Sequence, residues 1–376
     1  MINKKKCCGC TACVHICPQS CIAMVEDKMG FLYPIIDEDK CIHCGKCEKV
    51  CPSLNKGEKA QSPIFCWGGH AKLELIRKAS SSGGLFTVFA EEVINSGGVV
   101  FGARMSEDCT IVYHDFVQNV EDLSVFRGSK YVQSDLKKCF PQVQENLKLG
   151  RNVLFSGTPC QIDGLRLFLK KDYSNLLTIE FICHGTPSPK IFRKYIEYMT
   201  NKFNDSITKV NFRNEVGGNV SIMRIDTENG HIYQKNKNID PYYRMFLSDT
   251  CLRESCYQCP SRGLYRRADI TLSDFWGVEE AYIDLIDGGG LSLVLCHSQK
   301  GKAVFEKIIN QCSGHEVDFE KAIKGNPSFF ESYSRPLLRD DIENDIEKMS
   351  FRKLERKYAN KKKTILKRAI KRLCFK

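Results

Sequence analysis

The chain has 376 residues, 42% of them apolar, and carries 56 Lys and Arg against 45 Asp and Glu for a formal net charge of +11. The excess is local: residues 352–376 hold twelve basic residues against the single acid Glu355, so the other 351 residues carry 44 of each sign. A balanced body excludes the built-in basic face that a nucleic-acid-binding fold needs, and no apolar run approaches the ~20 residues of a membrane-spanning helix.

Cysteine usage is high, with 21 in all. No amino-terminal apolar stretch resembles a signal peptide, so a disulfide framework is not expected and the reading is of a reducing, cytoplasmic compartment. Eight cysteines form two near-identical runs, Cys7, Cys10, Cys13, Cys17-Pro18 and Cys41, Cys44, Cys47, Cys51-Pro52. This is the spacing of a two-cluster bacterial ferredoxin, in which three close thiolates hold one 4Fe-4S cube and the fourth crosses to the other. The expected sets are Cys7, Cys10, Cys13 with Cys51, and Cys41, Cys44, Cys47 with Cys17. Gly9 and Gly45 supply the tight backbone of the ligand loops. Zinc knuckles lack the repeated third cysteine and the trailing Cys-Pro.

The ferredoxin-like unit ends near Leu54, and the polar stretch from Asn55 to Pro63 reads as a linker. Beyond it, Arg77 to Gly84 (RKASSSGG) leads into a helix from Leu85 to Asn95. Hydroxyls and glycines at a helix start suit a phosphate, although a serine-rich cap has the same appearance. Gly97 to Met105 and Thr110 to Val117 read as an antiparallel pair, and Gly128-Ser129-Lys130-Tyr131 offers a cation and a phenol. A helix spans Leu136 to Leu149. Two strand–loop–helix units follow: Asn152–Ser156, the loop GTPCQ and Ile162–Lys170, then Leu176–Cys183, the loop HGTPSP and Lys190–Thr200. Such units place ligand loops at the carboxyl ends of adjacent parallel strands. Lys209 to Phe212, Ser221 to Thr227 and His231 to Lys235 read as strands, the last two joined as a hairpin.

A third cysteine group, Cys251, Cys256 and Cys259-Pro260, needs a fourth ligand. Cys183 and Cys160, both on the expected ligand loops, are the candidates, for an iron–sulfur cluster or for zinc. The remaining cysteines, Cys8 among them, read as buried or incidental thiols. His184, next to Cys183, suits proton delivery or a structural hydrogen bond. Asp269 to Gly277 (DITLSDFWG) is a strand ending in an acid and two aromatics: Phe275 and Trp276 offer faces for a flavin ring with Asp274 at its polar edge, or else form an aromatic corner. From Thr364 the residues Ile365, Leu366, Ala369, Ile370, Leu373 and Cys374 recur at helical spacing among Lys and Arg. This is the pattern of a basic amphipathic helix on an anionic membrane surface, or else of a solvated helix, a disordered arm or an arm that docks on an acidic partner.

Together, SSSGG, GSKYVQS, FSGTPCQ, CHGTPS, the third cysteine group and DITLSDFWG, in that order behind a dicluster unit, resemble the coenzyme F-420 hydrogenase/dehydrogenase beta-subunit family from Cys7 to about Phe305. The resemblance implies a flavin, FAD or FMN, beside an iron–sulfur cluster, and electron exchange between one-electron carriers and an organic substrate. By position it implies Ser81, Ser82, Gly83, Gly84, Lys130, Thr158 and Cys160 as flavin neighbours and Cys251, Cys256 and Cys259 as ligands of the internal cluster. Ser273 departs from the glycine expected there. His184, Lys130 and Asp274 are the candidate catalytic residues.

The expected architecture is a small α+β ferredoxin-like dicluster domain at 1–56, a larger α/β flavin- and iron–sulfur-binding oxidoreductase domain at 57–335, and a basic helical tail at 336–376. The expected partners are a redox protein or electron carrier and a small organic substrate, with peripheral contact to the inner membrane surface through residues 352–376. An electron-transfer subunit without its own substrate is the alternative.

Overall fold

The computed structural model describes residues 3–359 apart from residues 61, 217 and 218. The amino-terminal unit consists of α1 (Ala12–Ile16), the antiparallel hairpin β1 (Ile22–Glu26) and β2 (Leu32–Ile36), and the short α2 (Lys46–Lys49). Its two cysteine loops bend alike: Gly9 and Thr11 in the first, and His43 and Gly45 in the second, all have positive φ.

The larger part begins with β3 (Phe65–Ala71), α3 (Glu74–Lys78), α4 (Leu85–Asn95), β4 (Val99–Met105) and β5 (Val112–Val117). It continues through α5 (Cys139–Lys148), β6 (Val153–Gly157), α6 (Pro159–Leu169), β7 (Leu176–Phe181) and α7 (Pro189–Phe203). A meander of β8 (Ile207–Val216), β9 (Asn219–Thr227) and β10 (Ile232–Asn236) leads to α8 (Pro241–Leu247). Last come β11 (Ile270–Asp274), β12 (Ser292–Cys296), α9 (Gln299–Ile308), β13 (Cys312–Glu316), α10 (Phe319–Ala322), α11 (Arg339–Asp345) and α12 (Phe351–Tyr358).

Among the described residues the main sheet has eight strands in the order β13-β3-β12-β11-β7-β6-β4-β5. Its middle, β4, β6, β7 and β11, is parallel, while β5, β12, β3 and β13 pair antiparallel at the two sides. Every residue of β6 and of β12 is buried, as strands covered on both faces require. The helices and hairpins read from the sequence lie where expected, and the two strand–loop–helix units form adjacent parallel strands. No described helix is long and apolar enough to cross a membrane.

Two segments depart from expectation. The amino-terminal unit packs into the large part instead of hanging from a linker: Met29, Phe31 and Tyr33 share a core with α7 and α8, and Cys8, Cys10, Ala12 and Val50 share another with α5 and α6. The tail, expected to start at residue 336, is core through Tyr358. Ile342, Leu354 and Tyr358 are fully buried, and Glu355 is buried in an ion pair with Arg244 at 2.7 Å. Residues 336–358 carry six basic and six acidic side chains, and the apolar residues Ile342, Ile346, Phe351, Leu354 and Tyr358 pack inward while long cations project outward from the same turns. The amphipathic pattern from Thr364 onward lies outside the described residues. Leu354→Ala should therefore lower stability by about 2–5 kcal/mol, the usual cost of emptying a buried leucine site, measured by denaturant unfolding; a change within ~0.5 kcal/mol, typical of surface positions, would show that α12 is not core.

Candidate functional site

The first ligand group closes around a small cavity of about 30 Å³ lined by Cys7, Cys10, Cys13 and Cys51, with Cys47 at its edge. The crossing of Cys51 to the first run is thus present in the fold. Burial pushes the Cys13 thiol up to about 12, with Cys7 and Cys51 adding to the shift. The second group is more open: Cys44 is exposed, while Cys17, Cys41 and Cys47 are half-buried. Cys17 Sγ lies 3.4 Å from Cys21 Sγ.

Gly164, on α6, lets the first group approach the sheet, since a Cβ there would stand 2.8 Å from Cys10 Sγ. Beyond Cys10 lies a second body of thiols. Cys8 is hydrogen-bonded to both Cys10 and Cys160. Burial raises Cys183, and the charges of Cys256, Cys160 and Cys259 add to it; burial likewise pushes Cys259 up to about 12. Cys256 Sγ also accepts a hydrogen bond from the Thr186 backbone N–H at 3.4 Å. Clustered cysteine sulfurs of this kind suit a cationic iron centre that takes them as thiolates.

This placement corrects the third cysteine group. Cys160 and Cys183 both converge with Cys256 and Cys259, whereas Cys251 turns away: fully buried in the aromatic core, its thiol donates to the Met245 carbonyl at 3.5 Å. The loop from Cys251 to Cys256 includes Arg253, whose backbone is pinned to Thr186, and this turn separates the two ends. Cys8, read as incidental, joins the group. Its adjacency to Cys7 was the available signal.

A cavity of about 640 Å³ opens at the carboxyl ends of the parallel strands. It is walled by Gly157 and Thr158 after β6, by Ile182, Cys183 and His184 after β7, and by Ser273, Asp274 and Trp276 at the end of β11. The loops from Ser80 to Ser82 and from Gly128 to Tyr131 complete it, with Gly84 at the start of α4. None of the serines caps α4, whose amino terminus has no side-chain cap. Instead Ser81 Oγ accepts from the Ser129 N–H at 2.7 Å and Ser82 Oγ donates to the Leu291 carbonyl at 2.8 Å, so the loop is tied open against its neighbours.

Several expected flavin neighbours are elsewhere. Gly83 lies against β3, where a Cβ would meet the Gly69 carbonyl at 2.6 Å; its glycine serves packing. Phe275, one residue past the end of β11, is buried against Gly68 and Leu285. Trp276 is half-exposed at the cavity. Cys160 belongs with the thiols. Lys130 lines the cavity, but its ammonium donates to the carbonyls of Val125, Phe126 and Arg127 at 2.9–3.1 Å. Although burial pushes it down to about 7, all three N–H bonds of the charged form are engaged, which makes it a structural clamp and not a free acid. Asp274 is paired with Arg213 at 2.5 Å. His184 Nε2 bonds Asp249 at 2.6 Å and its ring stacks on Tyr333 at 3.8 Å. Arg213, Tyr333 and His114 line the cavity but sit in no recognisable motif, so sequence reasoning had no handle on them.

Residues 150–321 match the model of a family described as the C terminus of the coenzyme F420 hydrogenase/dehydrogenase beta subunit, and residues 6–55 and 33–84 match two models of a 4Fe-4S dicluster domain. Residues 150–321 are thus similar to the C-terminal domain of that beta-subunit family, and they follow a unit similar to 4Fe-4S dicluster domains. Among solved structures, a chain of the F420-reducing NiFe hydrogenase complex of Methanosarcina barkeri aligns with a TM-score of 0.48 and 16% identity, over 78% of this chain and 91% of that one. A comparison with curated proteins finds no match.

The serine loop is braced from outside by Arg77, which holds both oxygens of Asp287 at 2.5 Å and the Gly290 carbonyl at 3.0 Å. The hydrogen bonds from Arg77 hold the Asp287 carboxyl well below the usual carboxylate range. Because the folded pKa is depressed, the pair's stabilisation is complete above the unfolded value of about 4 and is lost as pH falls through the folded one. Acidification below about pH 4 should therefore destabilise the wild type more than Asp287→Asn. Parallel denaturation curves for the two at every acidic pH would contradict this.

Proposed function

We propose that this chain is an iron–sulfur flavin-dependent oxidoreductase that exchanges electrons with a redox partner at its amino-terminal unit and with a small organic substrate at the cavity. One observation carries the reading. The buried thiols run without interruption from the first ligand group through Cys8 and Cys160 to Cys183, and Cys183 itself forms part of the cavity wall. The exposed end of this line, at Cys44, is where a partner protein can approach.

The cavity fits a flavin by its contents. Its volume lies within the ~300–1,000 Å³ usual for cofactor and ligand sites. Two of its buried polar atoms, Ser273 Oγ and His114 Nδ1, have no protein partner and so call for a polar ligand. The uncapped start of α4 offers free N–H groups to a phosphate. Ser81, Ser82, Gly84 and Thr158 would border the flavin, FAD in this reading, with Trp276 against its exposed side. Bound, the flavin would supply the exchange between one-electron and two-electron chemistry, and the clusters one-electron storage.

The protein's own part is to hold and to protonate. The two 4Fe-4S clusters of the dicluster unit would be held by Cys7, Cys10, Cys13 and Cys51 and by Cys41, Cys44, Cys47 and Cys17. A further internal cluster would be held from Cys160, Cys183, Cys256 and Cys259, with Cys8 as the fifth thiol in reach. His184, held by Asp249 and flanked by Tyr333, is the one candidate catalytic residue at the cavity wall oriented for proton transfer. The Asp274–Arg213 pair contributes a fixed dipole, and Arg213 a cationic partner for Trp276 at 5.9 Å. A cavity of this size favours an enzyme with its own substrate over a subunit that only relays electrons.

Two measurements test the reading. Protein purified without oxygen should contain about eight irons in the dicluster unit and about four more inside; Cys256→Ser should lower the iron count while Cys251→Ser should leave it unchanged, and zinc in place of iron would end the proposal. Ser273→Leu, which places a branched side chain into the cavity, should abolish the flavin absorption of the purified protein without changing its iron. Undiminished yellow colour would remove the flavin from this cavity.

A further inference from the structure

Arg253 is one of the largest fully buried side chains, about 1% exposed, and it lies where the amino-terminal unit meets the large part. Its Nε donates to the Cys7 carbonyl at 2.7 Å, Nη1 to Gln133 Oε1 at 2.8 Å, and Nη2 to the Leu32 carbonyl at 2.9 Å and to Cys7 Sγ at 3.6 Å. The guanidinium carbon stands 4.1 Å from the centre of the Tyr33 ring. Gly9 is kept side-chain-free by it, since a Cβ there would lie 2.8 Å from Nη1.

No carboxylate among the described residues pairs with this cation: Arg253 takes part in no ion pair within 4.0 Å, although Arg266 and Arg339, whose side chains are also buried, each have an acid. An unpaired buried guanidinium costs several kcal/mol, so the fold must supply a negative charge by other means. The ionisable groups acting on it are Tyr33, then Cys7, Cys8 and Cys256; burial pushes the Tyr33 phenol up and keeps it neutral, so the group in contact that can carry a negative charge is Cys7 as a cluster-bound thiolate.

We propose that Arg253 is a positioning residue that raises the reduction potential of the inner 4Fe-4S cluster, the one held by Cys7, Cys10, Cys13 and Cys51, relative to the outer cluster beside Cys44. Burial alone would lower that potential, because the reduced cluster carries one more negative charge into a medium that solvates charge poorly. A guanidinium touching a ligand sulfur stabilises that extra charge and donates an N–H to the sulfur, two of the levers by which proteins set cluster potentials. The transfer it favours is of one electron from outer to inner cluster, with no proton moved and no bond made or broken. Among the described residues no Lys or Arg side chain hydrogen-bonds an outer-group sulfur: Cys21 Sγ lies 3.4 Å from Cys17 Sγ, and His43 Nδ1, beside Glu38, stands 3.9 Å from Cys41 Sγ on the exposed surface. The proposal rests on the dicluster reading above.

The test is an anaerobic redox titration of the full chain, followed by electron paramagnetic resonance, on wild type, Arg253→Gln and Arg253→Lys with iron measured on each. One midpoint should fall in Arg253→Gln and fall less in Arg253→Lys, which keeps the charge but not the fork, while the midpoint of the outer cluster stays in place. All midpoints unmoved at full iron content, or all shifted equally, would overturn the assignment. Should Arg253→Gln lose iron, wild type grown with ¹⁵N-arginine decides: the reduced inner cluster should show a coupling to that nitrogen by pulsed resonance, and its absence overturns the proposal. Wild type without iron would instead refute the dicluster reading itself.

Discussion

A loop of seven residues, Cys7 to Cys13, has to be buried between two bodies that both need it. Cys7 faces the buried guanidinium of Arg253, Cys8 faces Cys160, and Cys10 lies on Gly164 of α6. Each contact demands close approach of backbone or sulfur, which is why glycines stand at residues 9 and 164 and why a left-handed turn recurs at Gly9 and Thr11. The rest of the arrangement depends on this seam. With the loop docked, Met29, Phe31 and Tyr33 complete a core that extends through α7 and α8 to the last turn of α12.

The seam also explains why the thiols are ordered in space as they are. α6 begins immediately after β6, and Pro159 and the Gln161–Thr158 bond at 2.9 Å fix its start, so that Cys160 is presented to Cys8 on one side and to Cys183, at the end of the adjacent parallel strand, on the other. Register between β6 and β7 therefore sets the separation of sulfur from cavity. In a parallel sheet that register is fixed by the buried faces of both strands, since a slip of one residue would turn buried Leu154, Leu177 and Ile179 to the wrong side.

Charge inside the large part is handled by pairing. Glu180 in the middle of β7 meets Arg266 at 2.8 Å and Thr271 Oγ1 at 2.8 Å, Asp269 meets Arg166 at 2.7 Å, and Asp274 meets Arg213. Removal of one partner from any of these would leave a buried charge uncompensated. Arg253 and Lys130 stand out against that background because neither has a carboxylate: Lys130 donates to three carbonyls, and Arg253 to two carbonyls, an amide oxygen and the Cys7 sulfur.

The spacing of the eight amino-terminal cysteines determined by itself the dicluster unit and the crossing of its fourth ligands, because three-residue ligand spacing is a local geometric requirement that survives any tertiary context. Period and turn chemistry likewise placed α4, α7, the β4–β5 and β9–β10 hairpins, and the two parallel units whose loops wall the cavity. What only the tertiary structure decided was which distant residues share a space. Cys251 has the right spacing to Cys256 but is carried into the aromatic core by the turn around Arg253, and Cys8 becomes a neighbour of Cys160 across 152 positions of sequence. Phe275 packs against Gly68 and Leu285 just past its strand, Lys130 closes on carbonyls of its own turn, and α12 is core although its composition is basic. In each case sequence reports the residue type, while burial and direction follow from packing against elements far away in the chain.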